Sequence, residues 1–129
     1  MRFLTEDEVD RIHRRQLRPG DETGGRRREA VRRCLAAAEA VADEGVASSA
    51  AAYATEIACS QPYADANQRT AAAAAIVFLT LNGWALPADE RPRYVQIVRG
   101  LREDPQTAGE LKRFLEGHLE RMTGRGEGT

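Results

Sequence analysis

Gln61-Pro62-Tyr63-Ala64-Asp65-Ala66-Asn67-Gln68-Arg69-Thr70 runs straight into Ala71-Ala72-Ala73-Ala74-Ala75-Ile76-Val77-Phe78-Leu79, and this junction governs how the rest of the chain is read. A residue before proline avoids the helical region, so a helix arriving from the N-terminal side stops before Pro62. The next helix starts at Asn67 or Gln68 and runs to Asn82, with Gly83 past its end. Its middle is apolar on every face, which places it at the centre of a helical bundle. A helix start offers unpaired backbone N–H groups and the positive end of the dipole, a ready site for an anion. The turn delivers Asp65, Asn67, Gln68, Arg69 and Thr70 to that start. Arg69 brings a fork suited to phosphate oxygens, and Asn67 can donate to an anion. Asp65 is a hard oxygen ligand able to hold a magnesium ion alongside phosphate. The plainer alternative is that Asp65 and Asn67 are ordinary helix caps and that Arg69 pairs with a neighbouring acid.

Outward from this junction, every segment reads as helix. Thr5 and Glu8 have capping-box spacing, Leu4 can staple onto Val9, and Val9, Ile12 and Leu17 mark an apolar stripe that ends at Arg18-Pro19-Gly20. A second helix is expected over residues 26–44, from the recurrence of Val31, Cys34, Leu35, Ala38 and Val41, with Gly45 as its terminator. Ser48 or Ser49 is expected to cap a third helix with Tyr53 and Ile57 on one face. Beyond Trp84, a helix carries Tyr94, Ile97, Val98 and Leu101 and breaks at Asp104-Pro105. Thr107 and Glu110 repeat the capping-box spacing before a last helix with Leu111, Phe114, Leu115, Leu119 and Met122. No stretch alternates convincingly as a strand would. The expectation is an all-α bundle of about six helices in one domain over residues 1–123, with a disordered tail at 124–129.

Composition narrows the function. The 129 residues suit one core, and 42% of them are hydrophobic, many of these alanine, so the helices should approach closely. A net charge of −1 gives no strong pull on nucleic acid or on an anionic membrane. Lys112 is the only lysine, and arginine suits planar contact with phosphate or carboxylate. The clusters Arg14-Arg15, Arg26-Arg27-Arg28 and Arg32-Arg33 read as solvated helix faces diluted by acids. Cys34 and Cys59 lack metal-ligand spacing and read as reduced, mostly buried thiols of a cytoplasmic protein. The apolar run at 71–81 is too short to span a bilayer, and acidic residues soon after Met1 argue against a signal peptide.

The junction resembles the signature of the Fic/Doc family, in which His-x-Phe-x-Asp-x-Asn-Lys-Arg-Thr opens the central helix. Asp65-Ala66-Asn67 and Arg69-Thr70-Ala71 match the Doc branch, and Tyr63 stands where the family has Phe. Phe3-Leu4-Thr5 through His13 is similar to the Doc-type first helix, and Phe78-Leu79 through Asn82-Gly83-Trp84 to the end of the family's central helix. The resemblance implies a transferase using ATP and Mg2+. Fic proteins move AMP onto a protein hydroxyl, whereas Doc toxins move the γ-phosphoryl onto elongation factor Tu and are neutralised by the antitoxin Phd. By position, Asp65 would bind magnesium, and Asn67, Gln68, Arg69 and Thr70 would hold phosphates. Tyr63 would anchor the loop. The second arginine of the AMP-transferring branch falls at Ala72, which points to the Doc branch.

Gln61 occupies the position of the family's catalytic histidine. A carboxamide cannot take a proton near neutral pH, and losing a positioned base costs about 10²–10⁴-fold in rate. Gln68 likewise replaces the usual lysine. His13, His118 and Glu56 are substitute bases only in principle, and Cys59 is a thiol nucleophile only in principle. Three functions stay open. One is a divergent Doc-like transferase with an antitoxin or translation-factor partner. Another is a fold repurposed for a small-molecule, biosynthetic substrate, with Gln61 as a polar contact able to orient water or an oxyanion. The third is a non-catalytic binding module.

Overall fold

Alanine decides how closely the helices of this protein meet. The computed structural model describes residues 1–122. It contains six α-helices: α1 Glu6–Gln16, α2 Arg28–Ala40, α3 Val46–Ser60, α4 Asn67–Leu81, α5 Arg91–Gly100 and α6 Thr107–His118. The all-α bundle expected from the sequence is what forms. Along α3 and α4 the buried positions include Ala50, Ala54, Ala71, Ala74 and Ala75, each fully inaccessible to solvent. Side chains this small let two backbones pack closely, and Tyr53, Ile57, Phe78 and Leu79 fill the space on either side. α4 is apolar all round but not buried all round: Ala72, Ala73, Ile76 and Val77 are half-exposed and floor a cleft. α3 shares the centre, packing on α2, α4 and α6.

The first helix starts as its sequence demands. Thr5 Oγ1 accepts from the Glu8 amide at 3.1 Å, and Glu8 Oε1 accepts from the Thr5 amide at 2.9 Å. Val9 and Ile12 face the core, while Leu17 is the half-buried residue that caps the helix end. α2 is shorter than its apolar pattern suggests. At its front, Arg26 pairs with Tyr63 as an isolated β-bridge and the Arg27 amide donates to the Pro62 carbonyl at 2.7 Å, so these residues belong to the signature loop's support. At its back, residues 42–44 tighten into a 3₁₀ turn before Gly45, whose φ of 109° redirects the chain. Gly45, not a serine, precedes α3. Ser48 and Ser49 lie inside the helix, where Ser49 Oγ donates to the Ala38 carbonyl at 2.8 Å and ties α3 to α2.

The second capping box does not form. The Asp104 carbonyl and carboxylate take the amides of Thr107 and Gln106, both at 3.0 Å, so Thr107 becomes the first helical residue and is buried. Glu110 instead meets Arg93 at 3.2 Å. The last helix ends before Leu119, and residues Glu120–Arg121 pair antiparallel with Trp84–Ala85 as two short strands, β2 and β1, which no alternation in the sequence announces. Arg121 lies over the Trp84 ring at 5.1 Å. Met122 therefore lies beyond the helix, its amide bonded to the Gly83 carbonyl at 2.8 Å. The tail expected at 124–129 lies outside the described residues. Among the described residues no helix is long and apolar enough to cross a membrane.

Candidate functional site

The loop between α3 and α4 is held from below by one aromatic residue. Tyr63 is buried, its hydroxyl donates to Asp10 Oδ1 at 2.6 Å, and the His13 ring stacks on it at 3.7 Å between centroids, nearly parallel. Burial, followed by the Asp10 carboxylate, pushes the Tyr63 phenol far above its ordinary range. Arg26 closes the group by bonding Asp10 at 2.9 Å and Glu6 at 2.7 Å. His13 Nε2 lies 3.0 Å from the Asp65 carbonyl. A carbonyl only accepts, so Nε2 is the donor of this bond, and through it His13 braces the loop.

Asn67 completes the clamp. Its Oδ1 accepts from the Tyr63 amide at 3.1 Å, and its Nδ2 donates to the Tyr63 carbonyl at 2.8 Å. The amide side chain read from sequence as an anion donor is thus spent on the loop itself. Arg69 is also engaged: it donates to the Gln16 carbonyl and meets Asp21 Oδ2 at 3.0 Å. The Arg18 amide, and then the Arg69 guanidinium, hold the Asp21 carboxyl below its usual value. Asp65 accepts from the Glu22 amide at 3.2 Å and from the Ala66 amide at 3.1 Å. Gln68 Nε2 reaches the Arg99 carbonyl at 3.0 Å. Thr70 turns inward, its buried hydroxyl donating to the Ala66 carbonyl at 2.8 Å, so it does not reach the cleft.

The backbone stays available. Among the described residues, the N–H groups of Asn67, Gln68 and Arg69 have no hydrogen-bond partner. Two residues flanking the loop, Gln61 at φ 49° and Ala66 at φ 65°, are the only described non-glycine residues in the left-handed region. Conformations this uncommon for side-chain-bearing residues tend to sit where a site imposes them. The Gln61 carboxamide is half-buried, and no partner for it occurs among the described residues; Arg27 holds only its backbone, through the carbonyls of Ser60 and Gln61.

These residues open onto a cleft of about 900 Å³. Gln61, Asp65, Asn67, Gln68 and Arg69 all line it. So do four arginines that had no role in the reading of the sequence: Arg18 after α1, and Arg91, Arg99 and Arg102 on α5 and just beyond it. The acidic residues in the lining are Asp65 and Glu103, so five guanidiniums face two carboxylates in a chain whose net charge is −1. The signal that could have found the α5 arginines is their recurrence on the helix face opposite Ile97, but only the packing says which face meets the cleft.

The substitute groups are elsewhere. Glu56 and Cys59 do not line the cleft, and His118 lies on α6 beside Glu90 at 3.7 Å. Cys59 is exposed, against the expectation of two mostly buried thiols; Cys34 is buried, and burial raises its thiol to about 12. The outer arginines Arg26 and Arg32 pair with Glu6 across on α1, as solvated faces would. Among the described residues no three metal-ligating side chains converge. An ion at Asp65 would therefore have to bring most of its own ligands.

Fold and site together define an all-α domain with a basic cleft at the start of its central helix. A model of the Fic/DOC family matches residues 3–79, more than half of the chain, and the chain belongs to that family. No curated protein matches the chain.

Proposed function

We propose that the protein binds a phosphorylated ligand of the nucleotide class, with its phosphates at the start of α4. The observation that carries this reading is the set of three unpartnered amides at Asn67, Gln68 and Arg69, residues that line a cleft whose charged lining is mostly guanidinium. Backbone amides at a helix start suit phosphate oxygens and need no side chain to release its existing bonds. The internal bonds of Asn67 and Arg69 then become an asset, because they hold the amides in place before the ligand arrives. ATP with Mg2+ fits this arrangement, with Asp65 beside a phosphate-bound ion and the phosphates supplying most of the charge that ion needs.

Binding does not by itself give transfer. Gln61 can donate and accept a hydrogen bond but cannot take a proton near neutral pH, so transfer to a protein hydroxyl would lack a base at this position. The unpartnered Gln61 carboxamide favours a second reading, an enzyme on a small phosphorylated substrate. There Gln61 would orient a water or stabilise developing negative charge on oxygen.

Gln68→Glu separates ligand binding from stability. A carboxylate in the first turn suits the helix dipole, which offsets the loss of the exposed bond from Gln68 to the Arg99 carbonyl, so α4 should keep most of its stability. The same carboxylate should repel phosphate and weaken ATP binding at least ~10-fold, read by calorimetry. No saturable binding of ATP or phosphate by the unaltered protein, or equal binding by the variant, would defeat the proposal.

A further inference from the structure

α5 adds charge to the cleft that a phosphate at the start of α4 does not use. The two helices run antiparallel. Gln68 reaches the Arg99 carbonyl at 3.0 Å, and one turn further along α4 the Tyr94 hydroxyl donates to the Ala72 carbonyl at 2.6 Å. By this antiparallel run Arg99 and Arg102 fall beside the start of α4, and Arg91, about two turns earlier on α5, falls toward the later part of α4, where Ile76 and Val77 line the cleft. Arg91 and Arg99 belong to one continuous helix, which sets their backbones ~12 Å apart along its axis. Between them the floor is apolar, made by Ala72, Ala73, Ile76, Val77, Val95 and Val98.

The guanidiniums of Arg91, Arg99 and Arg102 have no ion-pair or hydrogen-bond partner among the described residues, although Arg93 on the neighbouring face of α5 is paired with Glu110. Glu103 is the one carboxylate in the cleft lining besides Asp65. An unpaired arginine at a surface is ordinary. Cationic groups at both ends of one apolar trough, with an amide cluster at one end only, are a more specific pattern. They match a molecule with an anionic group at each terminus and an apolar body between. All three arginines lie outside residues 3–79, the span that matches the family.

We propose that the ligand is an elongated dianion: a phosphate monoester seated at the start of α4 near Arg99 and Arg102, an apolar body on the α4–α5 floor, and a second phosphate or carboxylate held by Arg91. This rests on the phosphate site proposed above and adds what the other end of the ligand must be. ATP, whose anionic groups all lie at one end, can fill the phosphate site but leaves Arg91 unused, so the elongated dianion is the ligand that uses the whole cleft.

The test is calorimetry on the full chain with octyl phosphate and octanediol bisphosphate, and with butyl phosphate and butanediol bisphosphate as pairs too short to span. The long bisphosphate should bind at least ~10-fold tighter than octyl phosphate, since a charge-assisted guanidinium contact is gained. The short bisphosphate should gain no more than the ~2-fold expected from having two equivalent ends. Arg91→Gln should erase the long ligand's advantage while leaving octyl phosphate within ~2-fold. Binding of octyl phosphate with no gain for the long bisphosphate, or a gain that survives Arg91→Gln or is matched by the short ligand, overturns this inference and leaves the phosphate site standing. If none of the phosphates binds, both fall.

Discussion

Asn67 is the residue on which the site's geometry turns. Tyr63 is buried, and its amide and carbonyl find their partners in one side chain, Asn67. Buried backbone groups left without partners cost about 1–3 kcal/mol each. Asn67→Ala is therefore expected to destabilise the protein by about 2–3 kcal/mol, measured by urea unfolding, with the loss partly offset if water reaches Tyr63. A change below about 0.5 kcal/mol would mean that the clamp contributes nothing. The same reasoning applies to Arg69 and Asp65. Each was readable as a ligand group from its type, yet each already satisfies a neighbour, Asp21 and Gln16 for the first and the Glu22 amide for the second. What the junction itself leaves for a ligand is mostly backbone, together with the Gln61 carboxamide.

At the scale of elements, the contact between α3 and α4 positions the loop that joins them. Ala74 is fully buried on α4 within the core, so a longer side chain there must displace its neighbours. Ala74→Leu should force the helices apart and cost about 1–3 kcal/mol by thermal or urea unfolding. It should also blunt ligand binding, since the amides at the start of α4 move with the helix. A stable variant with unchanged binding would mean that the packing there is looser than the burial implies. The same element-level logic explains the two capping boxes. Thr5 keeps its place because nothing competes for the Glu8 amide. Thr107 loses its place because the Asp104 carbonyl takes its amide and the Gln106 carbonyl takes that of Glu110.

For the whole molecule, all three tyrosines are buried, in different parts of the bundle. Burial raises the Tyr53 phenol to about 12, and burial raises those of Tyr63 and Tyr94 further. The sign of the pH dependence follows. Above pH ~10 the unfolded chain loses phenolic protons that the folded chain keeps, so it binds fewer protons. Stability is then undiminished below that pH and falls as pH climbs past it. In an alkaline titration, phenolate absorbance should rise together with the loss of helical circular dichroism. Phenolate appearing near pH 10 with the helices intact would show that the tyrosines are not sealed in the core.

The chain's periodicity, its helix stops at Pro19, Gly45, Pro62 and Gly83, and the signature junction at 61–70 were enough to give the all-α bundle, the order of its helices and the place of the candidate site. Those features are local: a residue's backbone preference and its spacing from apolar neighbours act within a few positions of the chain. The sequence could not say which polar side chains of the junction would be consumed internally. That depends on Asp10, Gln16, Asp21 and Glu22, which are distant in sequence and come near only when α1 and the loop after it fold over the junction. Nor could it say that Arg18, Arg91, Arg99 and Arg102 would share one cleft with that junction, because each sits on an element whose orientation is set by packing against the alanine faces of α3 and α4. Charge is carried by residues, but an electrostatic field belongs to an arrangement, and only the tertiary structure supplies the arrangement.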